Sequence, residues 1–116
     1  MKNVSIRNYN TARNIDVDES GDLVITGNRV LFGLFVTNTK ASSLFLKLYD
    51  KATAPTVGTD TPKITLPLPT LTCMYIPIEG GIPFSLGIGV GATTAIADAD
   101  TGAPGANECT ITAVYL

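Results

Sequence analysis

DLVITGNRVLFGLFVTN, residues 22–38, decides the fold class. Leu23 and Ile25 alternate with Val24 and Thr26 ahead of Gly27-Asn28, a period of two closed by a turn signal, so a hairpin is expected. The next ten residues place Val30, Phe32, Leu34 and Val36 on one side and Leu31, Gly33 and Phe35 on the other. A strand apolar on both sides is expected to be covered on both. Working outward, SLFLKLYD (residues 43–50) sets Leu44, Leu46 and Leu48 against Phe45, Lys47 and Tyr49, the half-buried pattern of a sandwich strand with leucine inside.

Farther along, KATAPTVGTDTP (residues 51–62) cannot hold a helix, because proline lacks a donor and restricts its predecessor; it reads as a crossing between sheets or an exposed projection. KITLPLP (residues 63–69) alternates again, but Pro67 and Pro69 cannot donate to a ladder and assign this strand to an edge. Residues 71–78 and 83–94 form two strands around Glu79-Gly80-Gly81. Residues 108–116 form another, with Cys109, Ile111, Ala113 and Tyr115 on one face and Thr110, Thr112 and Val114 on the other.

Upstream, residues 1–20 are polar and aperiodic and read as an extended arm. Val4 and Ile6 could add a strand to a foreign sheet edge, and Arg7 and Arg13 could pair with carboxylates of a partner. Residues 21–116 are then the domain. About seven short strands with turns between them and no helical period predict an all-β chain, a single small β-sandwich of jelly-roll-like form with an N-terminal arm. At 116 residues there is room for one core.

Composition narrows the function. The chain is 45% hydrophobic and only 16% charged, and its charges gather before Asp22 and between Lys40 and Lys63, as expected where some surface is covered by another chain. A net charge of −2 lacks the basic footprint of a nucleic-acid binder, and no apolar run suits a membrane helix or a secretory signal.

With no histidine, the usual general base and the commonest transition-metal ligand are missing, so the sequence points away from an enzyme, a metal site or a cofactor. Cys73 and Cys109 lie in strand-like stretches and read as small buried hydrophobes. The Asp98-Ala99-Asp100-Thr101-Gly102 fragment and the acidic cluster of Asp16, Asp18, Glu19 and Asp22 read as turns, since neither continues into a cation loop.

Gly87, Gly89 and Gly91 alternate with Leu86, Ile88 and Val90, leaving a strand face without side chains that demands close packing. Its cover is either a second chain near a symmetry axis or Phe35, Tyr49 or Tyr75 of the same domain.

LYDKATAPTVGTDTPKITLPLP (residues 48–69), GIPFSLGIGVGATTAIADADTGAPGA (residues 81–106) and the final ITAVYL (residues 111–116) resemble small β-rich structural proteins of tailed-bacteriophage virions. The resemblance implies a cement or decoration protein, homotrimeric, that binds the major capsid protein on the outer shell after synthesis in the host cytoplasm. A receptor- or glycan-binding module of a tail fibre, with Tyr49, Tyr75 and loop aspartates facing a sugar, is the other role it allows. No catalytic or ligand residue is carried over, and the arm lies outside it.

Overall fold

In the computed structural model, which describes residues 8–116, eight strands form two four-stranded antiparallel sheets. In chain order they are β1 Asn10–Asn14, β2 Asp22–Thr26, β3 Arg29–Asn38, β4 Leu44–Asp50, β5 Ile64–Leu68, β6 Thr72–Phe84, β7 Gly87–Thr93 and β8 Cys109–Tyr115. The first sheet has the order β1-β8-β3-β6 and the second β2-β7-β4-β5. Pairing is nested: β1 with β8, β2 with β7, β3 with β6 and β4 with β5. A long antiparallel ribbon has rolled up, and β3–β8 and β4–β7 contacts close each sheet. This is a jelly-roll sandwich. No helix among the described residues is long and apolar enough to cross a membrane.

The core lies between the sheets. Leu44, Leu46 and Leu48 of β4 are fully buried there, as their alternation predicts, facing Leu31, Leu34, Val36 and Ile111 of the first sheet. β5 is an edge strand, as its prolines require. Asn38, 1% exposed, is satisfied by donating Nδ2 to the carbonyls of Ser42, Leu68 and Pro69 while its Oδ1 accepts from Lys40 N.

Four expectations need correction. β2 and β3 do not form a hairpin: the Gly27-Asn28 turn carries the chain from one sheet to the other, where β2 pairs with β7 and β3 with β6 and β8. The sandwich also begins before residue 21, since Asn10–Asn14, inside the expected arm, pairs residue by residue with β8, and Ala12 packs against the core.

Residues 72–84 form one strand where a turn at Glu79-Gly80-Gly81 was expected. Gly33 pairs with Pro77 and Leu31 with Ile82, so the intervening residues swing out as a bulge, with Gly80 at φ 81° and Gly81 at φ 79°. The true reversal is at Ser85-Leu86, where Asp50 accepts both backbone N–H groups at 3.0 and 2.8 Å. Finally, residues 51–62 neither cross between sheets nor project; they fold back over the second sheet, tied by Lys51 Nζ to Asp60 at 3.0 Å and Thr56 N to the same carboxylate at 2.7 Å.

Candidate interaction face

The sandwich has two outer faces, and the sequence-derived candidates divide between them. Gly87, Gly89 and Gly91 lie on the outer side of the second sheet and are buried. A Cβ at Gly89 would sit 2.9 Å from Pro55 Cδ, and one at Gly91 would sit 2.5 Å from Val57 Cγ2, while Tyr49 closes on both. The chain's own loop therefore covers the glycines, which corrects the reading of Gly87, Gly89 and Gly91 as an interchain contact. Of the intrachain covers expected, Tyr49 takes part; Pro55 and Val57 were missed, because nothing local says where a proline-rich loop will land.

Beneath the same cover lie Lys47 and Tyr49, both 0% exposed although an exposed face was expected. Lys47 Nζ donates to the Ala97 carbonyl at 2.6 Å, so the 94–108 loop supplies the other half of the lid. Tyr49 Oη is buried and has no hydrogen-bond partner among the described residues. Burial, then the charges of Asp60 and Asp98, push this phenol above its ordinary 10.0. With Tyr49 enclosed, the sugar-facing pair of Tyr49 and Tyr75 does not exist.

The outer face of the first sheet is open. Alternation along β8 turns Thr110, Thr112 and Val114 outward, β6 contributes Cys73, Tyr75, Pro77 and Glu79, and β1 contributes Thr11 and Arg13. Arg13 is thus exposed on this face, opposite Thr112. Val4, Ile6 and Arg7 lie outside the described residues. The register shift at Phe32 brings Leu31 inward on the side of Leu34 and Val36, while Phe35, between those two, faces outward and is 53% exposed; the cover expected on both sides of this strand is absent on one.

Phe35 and Tyr75 sit directly opposite each other, ring centroids 4.6 Å apart at 40°. The Tyr75 ring lies across Gly33, where any Cβ would collide with it. Tyr9 packs on Phe32 at 5.1 Å. Between these two aromatic pairs is an open groove of about 740 Å³, lined by Tyr9, Phe32, Tyr75, Pro77, Glu79 and Val114 among others. The signal for this face was present in the two-sided apolar pattern of β3, but a pattern cannot distinguish a covered face from one awaiting a partner.

Elsewhere the chemistry is sparse. Both cysteines are free; Cys109 is buried, and burial pushes its thiol up to about 12, whereas Cys73 is exposed, contrary to the buried reading, because it falls on the outward side of β6. Asp100 Oδ2 accepts the N–H groups of Ala95 and Gly102 as a turn former. Among the described residues no three His, Cys, Asp or Glu side chains are grouped to hold a metal.

No family model, curated protein or solved structure matches the chain.

Proposed function

We propose that this protein is a structural component of a tailed-phage virion, a cement or decoration protein that docks on the outer capsid as a homo-oligomer and ties shell subunits together. The single observation that carries the reading is the asymmetry of the sandwich: one outer face is sealed by the chain's own loops, while the other leaves Phe35, Tyr75 and Tyr9 in solvent at 53%, 45% and 44%. Clustered exposed aromatics on a small domain mark a contact surface. Four strands about 4.8 Å apart and five to thirteen residues long offer a face approaching the ~800 Å² a standard interface needs from each partner.

Two sheet edges are poorly suited to strand addition, since β5 carries Pro67 and β6 carries Pro77 and Pro83. Face docking is the more available mode. The quoted resemblance to virion proteins supplies the setting, the capsid shell and a trimeric state. No catalytic, metal or cofactor role, and no nucleic-acid or membrane partner, is part of this reading.

The test is co-sedimentation of the purified chain with capsids lacking it, alongside light scattering of the free protein. Saturable binding in many copies per shell and an oligomer in solution are expected. A monomer that fails to sediment with capsids overturns the reading.

A further inference from the structure

We propose that the groove on the open face is a seat for an arginine or lysine side chain presented by the shell protein. The inference takes its partner from the function proposed above, and its chemistry from the groove alone.

Tyr75 and Tyr9 bring half-exposed rings, each with the negative quadrupole that attracts a cation. Glu79, exposed at the lip, adds a full negative charge, and it is the only charged side chain lining the groove among the described residues. Among the described residues the one side-chain charge lining the groove is negative, on a chain whose net charge is −2. An anion would face the Glu79 carboxylate, and a neutral sugar could stack on the rings and donate hydroxyls to that carboxylate but would leave its charge uncompensated, which only a cation balances.

The backbone is built to hold this arrangement. The β6 bulge depends on left-handed Gly80 and Gly81, and a Cβ at Gly81 would lie 2.5 Å from Val30 Cγ1 and 3.0 Å from Phe32 Cε1. The bulge is therefore pressed onto the groove wall, while no described residue comes within 4 Å of the position a Cβ would take at its other glycine, Gly80. Bulges commonly re-aim side chains beside binding sites.

Two aromatics elsewhere in the domain show the same chemistry: the Arg29 guanidinium stands 5.4 Å from the Tyr115 ring centre and Lys63 Nζ 5.1 Å from that of Phe84. A groove of about 740 Å³ exceeds one side chain, so it takes a basic residue together with its flanking backbone.

The experiment is an NMR titration of the full chain with a capped Gly-Gly-Arg-Gly-Gly peptide, its lysine counterpart and its uncharged citrulline isostere, with maltose as a neutral sugar. Shifts confined to Tyr9, Tyr75, Glu79 and Gly80 are expected for the two cationic peptides, weakening as salt is raised. Glu79→Gln should weaken binding about threefold and keep the parent melting curve because this side chain is exposed, whereas Tyr75→Ala should weaken binding about tenfold and lower the melting temperature no more than Phe35→Ser does, since each loses the same cross-strand pair.

Citrulline binding as well as arginine, or maltose shifting the same signals more strongly, overturns the proposal. So does the absence of any groove shift with the cationic peptides. Capsid co-sedimentation of the two variants separates the claims. Parent protein that binds capsids while Tyr75→Ala and Glu79→Gln bind equally well removes the groove and leaves the function standing. Parent protein that never binds capsids removes the function, whatever the peptides do.

Discussion

The two outer faces of this sandwich are built from similar strands and end in opposite states. On the second sheet, Gly89, Gly91, Lys47 and Tyr49 vanish beneath loops 51–62 and 94–108. On the first, Phe35 and Tyr75 remain in water. Side-chain size inverts the naive expectation, because the face with small residues is the buried one. A flat glycine surface lets loop backbone and proline rings come close, so the chain covers it unaided. Among the described residues no loop lies over the aromatic surface, and its rings stay in water.

The sharpest way to break the comparison is Gly89→Val. Added bulk must displace Pro55, only 2.9 Å from where the first carbon would sit, so about 2–3 kcal/mol of stability should be lost through overpacking. A thermal melt followed by circular dichroism checks it; an unchanged melting temperature would mean that the loop does not sit on the glycines.

Asp50→Ala comes next, at about 1 kcal/mol or somewhat more, because the Ser85 and Leu86 N–H groups at the crossing between the sheets lose their acceptor. Acid should act in the same direction. Burial pushes the Asp50 carboxyl up, but the N–H groups of Leu86, Ser85 and Gly87 and the charge of Lys63 outweigh it and hold it below its ordinary 3.8. A carboxyl lowered by folding contributes fully above its unfolded pKa, and that contribution is lost as pH falls through the folded value. Stability of the parent should therefore decline from about pH 4 downward, and the decline should be shallower in Asp50→Ala.

On the open face, Phe35→Ser should cost under about 1 kcal/mol, the worth of one cross-strand aromatic pair, while abolishing docking. A loss as large as that of Gly89→Val would show that Phe35 belongs to the core after all. The smallest effect is expected for Tyr49→Phe. Its buried hydroxyl has no partner among the described residues, so removing it should leave stability unchanged or raise it by about 0.5 kcal/mol. A clear loss by the same melt would reveal a bond the hydroxyl makes.

The strands were legible because alternation is a local consequence of the pleat: Leu44, Leu46 and Leu48 announce an inner face, and Pro67 announces an edge. The groove was not legible. It needs Tyr9 of the expected arm, Phe32 of β3 and Glu79 of a bulge read as a turn, three residues whose proximity follows from nested pairing alone.

By itself, then, the sequence determined the all-β class, the leucine core, the proline edge and the absence of histidine chemistry, since each depends on residue type or a period of two. Tertiary structure alone decided that Asn10–Asn14 joins β8, that a two-residue turn crosses between sheets, and which of two apolar faces stays open. Those outcomes turn on where loops 51–62 and 94–108 come to rest, and that follows from long-range packing against Gly89, Gly91 and Tyr49, which no stretch of neighbouring residues records.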